Sequence, residues 1–433
     1  MKSNSNLKKA FIWNTLGSGF TAFNSLFFLI IATRINGKTE AGIFTLCYAT
    51  SGLLYIIGTY AGRTYQVTEQ KEEIGDNEYI VNRILTVIIM LISSAVFSLA
   101  SHYTNLKLKL LILLCLMRAV EALCDVFHGI LQKNDRLDIV GKSLLIRSIL
   151  NIIAFLTIDK IFNNLVLSCL SLIIIDILVL IFIDIKYGLK YKDKNKKISY
   201  SSALSILKLG FYTFGFTLLA NYLINIPRYS IDKYLDESFQ TIFGIIVMPG
   251  TFITLLSQFI MQPLITKMKS LWINKEKNEF NNIVKKTLLA IVGVGIISIL
   301  LAYFFGIMVL NFLYGLDLSE YLISLIIILI GTTFYALSLF LSNCLIIFRK
   351  TKVQLTIYSI TVILGIIISR LLVSKYAFTG GIYSYLLIML LLFIMYIVTF
   401  IFINNKTTNW KGREKDENTS CMPTLLSRKF QNK

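Results

Sequence analysis

Apolar stretches of about 20 residues recur roughly a dozen times along this 433-residue chain, separated by short polar hinges. Each stretch is long enough to cross roughly 30 Å of hydrocarbon as a helix. With a mean hydropathy of +0.70 and 55% hydrophobic residues, a lipid bilayer is the solvent for most of the protein. The spans fall at approximately 10–33, 41–61, 84–101, 107–131, 141–158, 163–185, 204–226, 240–264, 287–314, 320–347, 353–373 and 380–403. No gap between them exceeds about two dozen residues, which excludes a sizeable water-soluble catalytic domain.

Lysine and arginine test this count, because loops on the cytoplasmic side collect them. With both termini on one side, that side holds 31 of the 43 basic residues and the other holds 8. Four remain inside spans: Arg118, Arg147, Lys208 and Arg370. The net charge of +19 is therefore a topology signal. Its dispersal among hinges argues against nucleic-acid binding. The six cysteines show neither metal spacing nor a place in an outer loop, so no disulfide framework, metal site or cofactor is implied. The N-terminus runs straight into the first span without a small-residue cleavage site.

The longest basic hinge, KYGLKYKDKNKKISYSS, divides twelve spans into six plus six. Each half opens with a Gly/Asn/aromatic span, then shows a polar hinge before Gly-Ile: INGKTEAGIFTL and LDESFQTIFGII. Six spans return the chain to its starting side, so the halves are expected as parallel repeats. The fold class is thus an all-α polytopic membrane protein, with about 12 transmembrane helices in two parallel six-helix bundles around a central cavity. The expected divisions are a first bundle at 1–190, a basic linker at 191–203, a second bundle at 204–403 and a polar, disordered tail at 404–433.

The exceptions to apolarity carry the chemistry. A charge at mid-bilayer costs at least ~2.5–3.5 kcal/mol, so it faces protein or water. The fourth span places Arg118, Glu121, Asp125 and His128 at i, i+3, i+7 and i+10, on one helical face. That face fits either a salt-bridge ladder of Arg118 with Glu121 and Asp125, or a hydrophilic wall that meets an anionic substrate; His128 reads as a rim residue. Asp176 lies deep, with Arg118 or Arg147 the expected partner and proton coupling a second role. Lys208 and Arg370 are close enough to span ends to snorkel. Arg34, Arg63 and Arg228 sit at span ends, where anchoring and phosphate recognition both fit. Tyr48, Tyr55, Tyr60 and Tyr65 recur on the second span, as packing residues or as platforms for sugar rings. Pro249 and Pro263 are expected to kink the eighth span. A P-loop is absent, which leaves ATP hydrolysis by this chain unsupported.

Three segments resemble polysaccharide flippases of the Wzx type, within the multidrug/oligosaccharidyl-lipid/polysaccharide exporter superfamily. They are GTYAGRTYQVTEQKEEIGDNEYIVNR, FHGILQKNDRLDIVGKSLLIRS and NIPRYSIDKYLDESFQTIFGIIVMPGTFITLLSQFIMQPLITKM. Together with the twelve-span layout, the likeness covers roughly residues 8 to 403. It implies a multi-pass protein of the bacterial cytoplasmic membrane, with both termini cytoplasmic. Its implied cargo is a polyprenyl-diphosphate-linked oligosaccharide, moved between leaflets by alternating access for O-antigen or capsule synthesis. Polysaccharide polymerase and glycosyltransferases are the implied partners. Carried onto this chain, Arg63 with Tyr65 and Gln66 falls at the cytoplasmic mouth of a cationic cavity. Arg147 matches a fifth-helix arginine, and Pro227-Arg228 opens the outer hinge of the second bundle. Ala61-Gly62-Arg63 departs from the usual Gly-Met-Arg of the family. Arg63, Arg118, Arg147 and Arg228 are thus the candidate substrate-binding residues, with Tyr65, Gln66, Glu121, Asp125 and Asp176 as candidates for cavity or coupling roles. Glu121, Asp125 and Asp176 also keep open a cation-coupled antiporter of the same superfamily. A membrane polymerase or glycosyltransferase fits the short outer hinges poorly.

Overall fold

The computed structural model describes residues 2–60, 62–68, 74–101, 103–193 and 199–406. The tail expected from 404 therefore lies outside the described residues from 407 onward, as does Cys421. Every described regular element is helical. In chain order these are α1 (Lys2–Thr59), α2 (Gly62–Thr68), α3 (Asp76–Ala100), α4 (Asn105–Lys133), α5 (Leu137–Phe162), α6 (Leu165–Val179) and α7 (Lys186–Tyr191). They continue as α8 (Tyr200–Tyr234), α9 (Glu237–Ile273), α10 (Lys277–Leu301), α11 (Ile307–Tyr314), α12 (Leu322–Ile347) and α13 (Thr351–Lys406). A π-helical turn at Leu180–Ile185 joins α6 to α7, and another at Ala302–Gly306 joins α10 to α11, so each pair makes one crossing.

Among the described residues, nine helices are long and apolar enough to cross a membrane. Two of them, α1 and α13, are double crossings that fold back at a kink. The helix α4 is not among the nine, because Arg118, Glu121 and Asp125 interrupt its apolar stretch. It nevertheless packs between α1, α3 and α6 as a crossing. The result is twelve crossings among the described residues.

Both kinks have local causes. At Asn36-Gly37 the backbone turns through φ 81° and ψ 179° at Gly37, a conformation open to glycine. Asn36 Nδ2 donates to Asp159 Oδ2 at 2.6 Å, tying this kink to the end of α5. In α13 the break falls at Ala377 (φ 50°, ψ −130°), and Gly380 lets the returning limb touch the Leu372 carbonyl. The hinges expected at 34–40 and 374–379 are thus single-residue kinks. Pro249 and Pro263, expected to bend the eighth span, sit inside α9, which runs as one helix from Glu237 to Ile273. The third span begins at Asp76 and not near 84, which brings Arg83 inside it.

Glycines set how closely the helices approach. A Cβ on Gly17 would lie 2.2 Å from the Gly141 carbonyl oxygen, and one on Gly141 would lie 2.2 Å from the Trp13 backbone. The backbones of α1 and α5 therefore touch, the small-residue packing that replaces hydrophobic association in lipid. The repeated Gly-Ile hinges meet each other across the molecule. A Cβ on Gly42 would fall 1.9 Å from the Glu237 carbonyl oxygen, and one on Gly244 would fall 3.0 Å from Thr45 Oγ1. The second limb of α1 and the helix α9 thus form the seam between the first six crossings and the last six.

Candidate functional site

The first six crossings bury a polar network along the charged face of α4. Arg118 donates to Glu121 Oε2 at 2.5 Å, one helical turn away. Its guanidinium also lies over Tyr48 at 4.6 Å and over Tyr55 at 5.8 Å. The expected ladder stops there, because Asp125 is turned toward other partners. Asp125 Oδ1 accepts from Arg63 at 3.2 Å, and Oδ2 accepts from Arg83 at 2.8 Å. Arg63 also donates to Gln132 Oε1 at 2.9 Å, and Arg83 donates to the Gly58 carbonyl at 2.8 Å. Asp125 therefore clamps two arginines from different helices.

Sequence reasoning missed Arg83 because it was assigned to a hinge. The pattern was present: Glu78, Tyr79, Asn82, Arg83 and Thr86 repeat at helical spacing, and all five are buried. Deeper in, Asp176 meets neither expected arginine within ion-pair distance among the described residues. Its Oδ1 accepts from Asn151 Nδ2 at 2.8 Å, and its Oδ2 is buried without a partner. Arg147 lies within electrostatic reach of it, and one of the Arg147 terminal nitrogens is also unpartnered among the described residues. Nor is His128 a rim residue. It is buried, with Nε2 3.1 Å from Asp184 Oδ1, to which Ser143 also donates at 2.6 Å. In this half every buried arginine has a carboxylate bonded to it or close by.

Gln66 is buried, and its Nε2 donates to the Val126 carbonyl at 3.2 Å. A Cβ on Gly129 would sit 2.0 Å from Gln66 Oε1, so only glycine leaves room for this side chain. Tyr65 points the other way, across the seam, and donates to the Leu209 carbonyl of α8 at 2.8 Å.

The two halves touch at both ends of the bundle. At the end bearing the basic hinges, Tyr65 reaches α8, Tyr60 stacks on Phe214 at 4.3 Å, and Asn82 donates to the Ala203 carbonyl at 2.9 Å. At the opposite end, Lys107 of α4 bonds Asp232 of α8 at 2.7 Å and Glu237 of α9 at 3.2 Å. Thr241 donates to the Lys38 carbonyl, and Arg34 donates to the carbonyls of Phe312 and Leu313.

Arg228 lies on α8 at the seam. It is buried, donates to Thr45 Oγ1 of α1 at 3.4 Å, and faces the ring of Phe243 at 5.4 Å. Among the described residues it has no carboxylate within ion-pair distance. The structure therefore brings Arg63 and Asp125 together and pairs Arg118 with Glu121. Arg147 is left near Asp176, and Arg228 is set apart.

No protein-family model matches the chain. It is 28% identical over 384 residues to the capsular polysaccharide biosynthesis protein CapF of Staphylococcus aureus, covering 87% of this chain and 93% of that protein. Its fold matches the lipid II flippase MurJ in an inward closed conformation, with a TM-score of 0.70, 17% identity, and 92% and 91% of the two chains covered. It also matches the inward-facing conformation of a multidrug resistance MATE family transporter of the MOP superfamily, with a TM-score of 0.69, 12% identity, and 94% and 99% covered. The chain is a relative of a capsular polysaccharide biosynthesis protein, built on the twelve-helix fold of the MOP-superfamily transporters.

Proposed function

We propose that this protein is a flippase that moves a polyprenyl-diphosphate-linked oligosaccharide across a bacterial cytoplasmic membrane, for capsule or a related surface polysaccharide. The observation that carries this reading is Arg228, a guanidinium buried where the two halves meet and, among the described residues, without a carboxylate in ion-pair distance. An unpaired buried cation is costly, and a phosphoanion arriving in low dielectric is its natural complement. The diphosphate needs a polar route, which the charged face of α4 would supply through Arg63, Arg118 and Arg147. The prenyl tail stays in lipid. The basic end of the bundle is assigned to the cytoplasm by the positive-inside bias. Tyr65 and Gln66 would form the cytoplasmic closure, and Glu121, Asp125 and Asp176 would hold the arginines in place. Ionic coupling, where present, would pass through Asp176, whose Oδ2 is free.

The test is transport of a fluorescent polyprenyl-diphosphate oligosaccharide in proteoliposomes. Arg228→Ala is expected to lower the initial rate about tenfold or more at equal protein incorporation. A wild-type rate in Arg228→Ala, or no transport by the wild type, would overturn the reading. The similarity to a capsular polysaccharide protein supports this cargo over a drug.

A further inference from the structure

At each end of the bundle, one charged side chain of the first half lies on a helix terminus of the second. At the basic end the terminus is the start of α8. Ser199 is its N-cap, and Ser199 Oγ accepts from the Ser202 amide. The Ser199 amide donates to Glu78 Oε1 of α3 at 3.1 Å. Glu78 is buried, and one turn further along α3 Asn82 donates to the Ala203 carbonyl at 2.9 Å. At the opposite end the terminus is the end of α11, which stops at Gly315 with φ 68°. Arg34 of α1 donates from Nε to the Leu313 carbonyl at 2.6 Å, and from Nη2 to the Phe312 carbonyl. Both carbonyls belong to the last turn, where a helix leaves acceptors without internal partners.

The signs match the termini. A helix carries partial positive charge at its start and partial negative charge at its end. The helix α8 and the crossing made by α10 and α11 both run from the basic end to the opposite end. The second half therefore shows a positive terminus at the basic end, met by a carboxylate, and a negative terminus at the other, met by a guanidinium. We infer that Glu78 and Arg34 are the two end latches of the carrier, each capping a helix of the other half only while its own end is shut. A terminus can exchange its cap for water without losing a bond inside the helix, so each latch can open without unfolding anything. Asp76, two residues before Glu78, supplies the contrast. Its carboxylate accepts from Lys133 of α4 and from the Asp193 amide, both before the second half begins. Its bonds survive when the halves part. This deepens the proposed function by naming what regulates its alternation, and rests on a carrier that opens at each end in turn.

The test is electron–electron resonance distance measurement on the full-length protein in nanodiscs without cargo. Spin-label pairs are placed on α5 and α8 at the basic end, and on α4 and α9 at the opposite end. Glu78→Gln keeps the shape and removes the charge. It is expected to raise the open-to-shut ratio at the basic end about fivefold, the scale of a charge at a helix terminus, and to lower that ratio at the opposite end. Arg34→Gln should do the reverse. The double variant should return both ratios toward wild type, because it weakens both ends. Arg34→Lys keeps the charge and should shift less than Arg34→Gln. Glu78→Asp keeps the charge at shorter reach and should shift less than Glu78→Gln; it serves where Glu78→Gln does not fold. Asp76→Asn should keep the wild-type ratios. Unshifted ratios in folded Glu78→Gln or Arg34→Gln, shifts of both in one direction, or an equal shift in Asp76→Asn would overturn the latches. Transport by the wild type alongside unshifted ratios would leave the flippase reading standing without them. Absence of wild-type transport would overturn the flippase reading, and the ratios would still decide the latches. Folding of each variant is checked by its thermal unfolding midpoint.

Discussion

A single carboxylate, Asp125, decides how two arginines sit at the basic end of the molecule. It accepts from Arg63 at 3.2 Å and from Arg83 at 2.8 Å, and Arg83 is almost fully buried. Removing one member of a buried ion pair leaves the others uncompensated, at about 3–5 kcal/mol. Asp125→Ala is therefore expected to lower the thermal unfolding midpoint in detergent sharply, and Asp125→Asn less so. Equal midpoints for Asp125→Ala and wild type would contradict the clamp. Glycine offers a cleaner contrast. Gly37 has φ 81° with open space where a Cβ would project, whereas Gly52 has the same open space within regular helix. Gly37→Ala should cost about 1 kcal/mol or more through backbone strain alone, and Gly52→Ala should be neutral or stabilising. Paired unfolding curves of the two variants check this.

Among the elements, the seven-residue helix α2 is the connector. Gln66 fastens it to α4, Arg63 fastens it to Asp125, and Tyr65 reaches over to α8. Tyr65→Phe removes the bond to the Leu209 carbonyl while keeping the ring. We expect a cysteine at Ser205, one turn before Leu209, to react faster with a membrane-impermeant maleimide applied from the basic side in that variant. An unchanged labelling rate would mean that Tyr65 does not hold this end shut. The elements themselves were largely legible in sequence, because twelve apolar runs and their basic hinges depend on composition and length. Less legible was what the side chains met. The spacing of Arg118 and Glu121 predicted their pairing because both lie on α4. Asp125 was misassigned because its partners come from α2 and α3, and contacts between helices leave no trace in the period of one helix. Arg83 was hidden by a boundary placed eight residues late. Gly42-Ile43 and Gly244-Ile245 were visible as a faint repeat, but only the packing shows that they touch.

Over the whole molecule, contacts join the two halves at both ends, which under the proposed function is a closed state. At the end opposite the basic hinges, Lys107 bridges α4 to α8 and α9 through Asp232 and Glu237. Opening that end must break both bonds. Lys107→Ala should therefore shift the population toward states open there. Spin labels on α4 and α9 at that end would read this as a longer mean distance, and an identical distance distribution would count against the gate. Gly42→Leu should act oppositely to an ordinary packing mutation. Its side chain would collide with the Glu237 backbone only when this end is shut, so it should favour the open form and lower transport.

That Arg228 has no carboxylate within ion-pair distance among the described residues also has an electrical consequence. Displacing one elementary charge across a membrane potential is worth about 2.3 kcal/mol per 100 mV. Under the proposed function, an empty carrier bears the positive charge of the buried Arg228 where its halves meet, so a negative interior draws it back to face the cytoplasm. Once a diphosphate neutralises that guanidinium, the loaded carrier is nearly indifferent to voltage. The membrane potential would then drive the return stroke and leave the outward stroke to the cargo. In proteoliposomes, a valinomycin-imposed inside-negative potential should speed repeated cycling of inward-oriented carriers without changing single-turnover release.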